Sequence, residues 1–464
     1  MKIKWKISKI IFALFTFMLF FSFLSTIYAH DFSWGKIDLQ STTKYRYQWS
    51  DTPDKDLLAD DTNDQDIYEI LSLDAVQSNS GVNFSMLGKY AKDLDGTSDG
   101  SIFQDYIDTG TNRQKLDVYY AYLEKEFNNV SVRLGRQYAY SSEIVNFDGA
   151  WIRGDNVGGK WFNFEVFGGR IVQTYSNLDK DFIGGVNLEI DPFKNLSFYI
   201  DSVFYQENSY EVGTYWKPTD NIKVRGNFAF INDSSRSWSL DVMGTCPVTK
   251  TTLSLNIYKR YTVPVDDDFL FDYTSTIDSN IGDDIKRFYL ARELGYVDYT
   301  LTLTQPIPNQ EGINVFVGFT KRDMSDNGDG IYEKLYNTDF YRVTFGFNID
   351  NWDKLKGTNL SFGYSYWKEQ RSSYYEGSSK SFYADLEQEI GEKLEAGAGF
   401  YYKTEDVNGL VEGEASHNYY ANLKYKFSKE KYAELKYEYE TDDYYHEFGI
   451  SGVNALTASI HLTW

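Results

Sequence analysis

The sequence predicts an all-β protein, a transmembrane antiparallel up-and-down β-barrel of about 22 strands (range roughly 18–24), with short turns at one end and long acidic loops at the other. Three observations predict it. Apolar and polar residues alternate with a period of two from residue 36 to the last residue. The connections between alternating stretches are short and long by turns. The chain carries 40 Tyr and 33 Phe yet has a mean hydropathy of −0.49, so abundant aromatic surface coexists with a polar average. A soluble core is filled by Leu, Ile and Val, whereas a barrel needs one apolar residue in two and aromatic girdles at the membrane interfaces.

The first segment, residues 1–29, has the layout of a secretory signal. Lys2, Lys4, Lys6 and Lys9 precede the apolar run from Ile10 to Leu24, and a cleavage point follows Ala29. Residues 30–464 then form one barrel domain. The net charge of −22 argues against a nucleic-acid partner.

The stretch GKIDLQSTTKYRYQW (35–49) states the pattern. Ile37, Leu39, Ser41, Thr43, Tyr45, Tyr47 and Trp49 share one face, and Lys36, Asp38, Gln40, Thr42, Lys44, Arg46 and Gln48 share the other. Tyrosines and Trp49 are expected against lipid, and the polar face against an aqueous lumen. The alternation recurs in 313–322, 340–350, 358–370, 394–402, 419–427 and 433–439, segments long enough to cross a bilayer at a barrel's tilt. It is least regular over 150–300. Short turns fall at 128–129, 191–195, 217–221, 391–392 and 428–430. Long polar connections fall at 50–65, 93–112, 262–284, 323–338, 371–379, 405–416 and 441–453. An even strand number puts both termini on the periplasmic side and the long loops outside.

The last stretch, NALTASIHLTW, places Leu456, Ala458, Ile460, Leu462 and Trp464 on one face. Here the sequence resembles Gram-negative outer-membrane barrels, in which a terminal aromatic strand closes the barrel. The resemblance implies that Ile460, Leu462 and Trp464 are read by the outer-membrane assembly machinery, although Trp464 stands where Phe is usual. A second resemblance covers 115–154, in which Gly135–Arg136–Gln137 follows a short turn and Asp148–Gly149 comes about ten residues later. This unit is similar to one in porin-like barrels and in the barrels of porin–cytochrome electron conduits.

The candidate pore-lining residues are Lys36, Asp38, Lys44, Arg46, Arg133, Lys223, Arg225, Arg342, Asp385, Glu387, Glu389, Glu395, Lys424 and Glu434. Rings of charge set a pore's ion preference. A tight turn at 428–430 makes Lys424 face Glu434, and the turn at 391–393 makes Glu389 face Glu395. Two facing carboxylates favour a cation or a shared proton, or stand solvated at the rim. The loop 262–284 is acidic, with Asp266, Asp267, Asp268, Asp283 and Asp284 among its carboxylates and no Lys or Arg. Such loops beside lipopolysaccharide attract divalent cations or form a solvated negative rim. Asp326–Gly330 resembles a fragment of a calcium loop but lacks its twelfth-position carboxylate, and is read as an acidic turn. Cys246 is expected as a packed or turn-buried thiol. The four histidines accompany no serine motif or metal-ligand spacing, so neither an enzyme, a cofactor nor a resident metal is expected.

Two functions follow. One is an outer-membrane channel for small hydrophilic solutes, narrowed by an inward loop at 93–112 or 262–284. The other is a sheath around a multihaem cytochrome, because barrels of about 22 strands are usually filled. Expected partners are outer-membrane lipid and lipopolysaccharide, the assembly machinery, a second copy of the chain in a homo-oligomer and, for the sheath, the cytochrome.

Overall fold

The computed structural model describes residues 35–50, 63–78, 80–95, 113–159, 161–172, 182–205, 208–261, 295–324, 339–351, 356–370, 376–407, 411–442 and 452–464. The strands are β1 (Gly35–Ser50), β2 (Asn63–Gln77), β3 (Val82–Asp93), β4 (Gln114–Phe127), β5 (Val130–Tyr140), β6 (Ile144–Val157), β7 (Phe162–Ile171) and β8 (Phe182–Phe193). Then come β9 (Leu196–Phe204), β10 (Asn208–Thr219), β11 (Ile222–Ile231), β12 (Ser234–Thr245), β13 (Thr252–Arg260), β14 (Tyr296–Pro306) and β15 (Ile313–Met324). The last are β16 (Asp339–Asp350), β17 (Thr358–Gln370), β18 (Glu376–Ile390), β19 (Leu394–Val407), β20 (Val411–Lys426), β21 (Tyr432–Asp442) and β22 (Val453–Thr463).

Each strand pairs antiparallel with the next, and β1 pairs with both β2 and β22, so the 22-stranded sheet closes on itself. Reciprocal backbone bonds between Leu39 and Trp464, at 3.0 and 2.8 Å, finish the seam. Closure leaves no strand edge unpaired, which a wall in contact with hydrocarbon requires. With strands about 4.8 Å apart and tilted, such a cylinder is roughly 40 Å across.

Contacts between distant strands identify the inner face. Glu143, in the hairpin between β5 and β6, accepts from Ser209 of β10 at 3.0 Å and pairs with Arg236 of β12. Strands four and six apart in a closed wall meet only across its inside. Ala139, Val145, Phe147, Trp151, Phe167, Ile171, Ile183, Val203 and Ile231, drawn from six strands between β5 and β11, form a buried apolar cluster on that side. Paired residues point the same way, so the registers carry the assignment round the barrel. The opposite face bears exposed apolar rows, such as Leu188–Ile200–Val212–Phe228, in which Ile200 is 51% exposed.

Several expectations are revised. Residues 376–379, 405–407 and 411–416, expected in loops, extend β18, β19 and β20, because Gly377–Ser379 pair with Glu405–Val407 and Lys403–Glu405 pair with Glu414–Ser416. The loop-length asymmetry is also incomplete, since β5–β6 and β11–β12 are joined by only three and two residues at the end assigned long loops. Among the described residues, the irregular region 150–300 holds strands of ordinary length. The signal expected at 1–29, the calcium-loop fragment and Asp266, Asp267, Asp268, Asp283 and Asp284 lie outside the described residues.

Candidate functional site: the charged inner wall

The registers gather six charged or polar side chains into one cross-strand row, Lys44–Ser459–Glu434–Lys424–Glu395–Glu389, running from β1 backwards to β18. Lys424 faces Glu434 and Glu389 faces Glu395, as the turn lengths dictate. The ion pairs are distributed differently. Lys426, one pleat below Lys424, reaches Glu395 at 2.9 Å and Glu389 at 3.4 Å, and Lys424 reaches Glu395 at 3.5 Å. The facing carboxylates therefore share a lysine as their counter-ion. Glu434 accepts from Asn422 at 3.2 Å, and the Lys424 ammonium stands 4.7 Å from the Tyr432 ring.

A second row, Lys436–Thr457–Arg46–Asp66–Asp93, lies next to it. Asp66 is buried, and near it the carboxylate oxygens of Asp64, Asp93 and Asp95 come within 4.8 Å of one another. Lys36 pairs with Asp38 at 2.8 Å. Arg133 pairs with Glu124 at 2.9 Å and lies 4.3 Å from the Trp151 ring, a charge seated on an aromatic face. Lys223 and Arg225 follow one another on the same face of β11, with Arg225 opposite Asp241 and hydrogen-bonded to Tyr199. Arg342 donates to Ser365 at 2.9 Å, and Asp385 accepts from Tyr420 at 2.6 Å, with Glu387 one pleat along. All fourteen positions thus share the inner face. They do not converge on one point. They are spread over β1, β5, β11, β16 and β18–β21.

Sequence reasoning missed three features of this wall. Glu165, Asn187, Asp201 and Glu211 form an acidic row across β7–β10, in which Asn187 donates to Asp201 and both Tyr199 and Asn227 donate to Glu211, at 2.7 and 3.0 Å. Arg322 grips Asp298 with two bonds of 2.7 Å, its guanidinium 3.9 Å from the Tyr296 ring. The buried cluster around Phe147 and Trp151 makes part of the inner wall apolar. The first two were hidden because each strand contributes only one member, and the register that joins them is a tertiary quantity.

The Gly-Arg-Gln and Asp-Gly elements are one structural unit. Gly135 pairs with Gly149, and Gly149 with Gly169. A β-carbon on Gly149 would stand 2.1 Å from the Gly168 carbonyl oxygen, so three backbones approach here as only glycine permits. Gln137, buried, donates to the Gly149 carbonyl at 3.2 Å. Arg136 meets Asp148 in a two-pronged pair at 2.8 and 2.9 Å on the outer face. Another polar group on that face is Glu69, between Leu71 and Ile67, which accepts from the Ser41 and Thr43 hydroxyls. Cys246 is exposed in the turn after β12, correcting the expectation of a packed or turn-buried thiol. A hydrogen bond from the Thr249 hydroxyl, then the backbone amides of Thr249 and Val248, hold its pKa below the usual thiol value.

The closed cylinder with a charged inner face and an apolar outer face defines a porin-like β-barrel. No protein-family model matches the chain, and no curated protein does. Among solved structures the chain is similar to Acinetobacter baumannii OccAB3, at 11% identity and a TM-score of 0.47, covering 92% of this chain and 99% of that one. It is also similar to Pseudomonas aeruginosa OccK3 (OpdO), at 11% identity, coverage of 92% and 95% and a TM-score of 0.44. A third is the outer membrane protein OpdK of Pseudomonas aeruginosa, at 10% identity, coverage of 92% and 99% and a TM-score of 0.44. At these values the likeness carries no argument about what this chain does.

Proposed function

We propose that the protein is an integral outer-membrane channel through which small hydrophilic solutes or ions diffuse. The observation that carries this reading is the inner wall. Its charged and hydrogen-bonding side chains run round the closed cylinder, while the outer wall is built from apolar rows that hydrocarbon would cover. Polar side chains facing a lumen keep it wet, and fixed charges filter what passes. The fourteen candidate residues are the lining in this reading, with Ile460, Leu462 and Trp464 as the closing strand.

Single-channel recording on the purified barrel in planar bilayers tests it. Steady ohmic openings are expected, with a reversal potential in a salt gradient that reports which wall charges dominate. A folded protein with no conductance would overturn the channel. Co-purifying haem would then point to a barrel filled by a cytochrome.

A further inference from the structure

The outer wall of β9–β13 is not smooth. Thr214 and Gly226 lie side by side on β10 and β11, and their small side chains leave a recess of about 660 Å³ bounded by Phe198, Val212, Phe228 and Trp238. These residues belong to the outer face by register, and Phe198 and Val212 are 48% and 40% exposed. The recess is shallow and open to the surroundings rather than enclosed. In the row of Val212, Phe228 and Trp238 the next residue is Lys259, directly opposite Trp238, one residue from the end of β13. Its ammonium stands 4.6 Å from the ring of Tyr261, and that ring lies 6.3 Å from Phe228. An apolar recess therefore ends in a cation and a tyrosine at the rim.

The rim is the one that bears the long connections, and the outer wall is charged unequally between its ends. At this end it carries Lys92, Arg170, Lys259, Lys321 and Lys380, all within four residues of a strand terminus. At the other end, among the described strands, the outer-face cation is Lys125. A lysine at the last apolar level buries its stem and lifts its ammonium to the polar boundary, where lipid phosphates lie.

From this juxtaposition we infer that the groove over Gly226 holds an acyl chain of a phosphorylated outer-leaflet lipid, with the phosphate on Lys259. Aliphatic chain fills the recess that two small residues leave, and Tyr261 holds the boundary between chain and headgroup. The inference rests on the outer-membrane reading for its leaflet, but not on conduction.

The test uses the full folded barrel in zwitterionic detergent, with bis-phosphorylated lipid A as probe and native mass spectrometry as readout. Lys259→Gln is expected to lower retention about fivefold, the effect of about one phosphate–lysine contact. Gly226→Leu is expected to lower it similarly by filling the groove. That variant should fold, because a β-carbon at Gly226 has no neighbour nearer than the Ser239 carbonyl oxygen at 3.8 Å. Dephosphorylated lipid A is expected to bind as weakly to the parent as lipid A does to Lys259→Gln, inorganic phosphate is expected not to compete, and Lys125→Gln should behave as the parent. Equal retention by parent, Lys259→Gln and Gly226→Leu would overturn the proposal. So would displacement by inorganic phosphate alone, or an equal loss in Lys125→Gln. Conductance of the same preparations separates the two readings. Loss of the lipid with conductance intact concerns the groove, and absence of conductance with the lipid bound concerns the channel.

Discussion

At the scale of single residues, the inner wall shows how one side chain sets the charge of its neighbours. Lys426 lies within reach of two carboxylates that face each other, Glu389 and Glu395. Lys426→Ala leaves Lys424, at Glu395, as the remaining ion-pair partner of those groups among the described residues, so the reversal potential should move toward cation preference, measured in a tenfold salt gradient. Lys44 and Arg46 show no ion pair among the described residues and stand on the same strand face. Changing both to Glu should move selectivity the same way and by more, since four units of charge change. Cys246 offers a residue-scale test of sidedness. With its pKa held below the usual thiol value, it carries more thiolate at neutral pH than an ordinary cysteine. A membrane-impermeant maleimide should label it from the periplasmic face alone, with the rate rising through a lower pH than for free cysteine.

At the scale of elements, the glycine row binds β5, β6 and β7 into one unit. Gly149→Ala forces the Gly168 carbonyl and the Gly169 α-carbon to retreat, at a cost of about 2 kcal/mol or more. The variant should show a lower unfolding midpoint in urea and a smaller heat-modifiable fraction by electrophoresis. Arg136 and Asp148 add a paired charge on the outer face of this unit, where an isolated charge would be costly in hydrocarbon. Arg136→Ala strands the aspartate and should destabilise more than the double change to Ala, a non-additivity that a double-mutant cycle measures.

For the whole molecule, the decisive event is closure of β1 on β22. Loss of Trp464 removes two backbone hydrogen bonds at the seam, and its expected effect is poor assembly, seen as less heat-modifiable protein in outer-membrane fractions. Strands of 9 to 16 residues, all antiparallel and all sequential, make the fold legible from a pattern of period two. The places where the pattern misled have local causes. Polar residues at 376–379, 405–407 and 411–416 read as loop because strands that leave the membrane no longer need an apolar face. They still pair, because the ladder supplies the backbone bonds.

The sequence by itself determined the class of fold, a strand number of about 22 within a range of 18–24, and the facing of Glu389 with Glu395. Period-two alternation assigns a face to each side chain as soon as a strand is recognised, and turn length sets register within a hairpin. Tertiary structure alone decided which charges meet. The acidic row from Glu165 to Glu211, the sharing of Lys426, the grip of Arg322 on Asp298 and the apolar recess over Gly226 depend on register and wall curvature. Those quantities are fixed only when all 22 strands close, because each row draws one side chain from each strand.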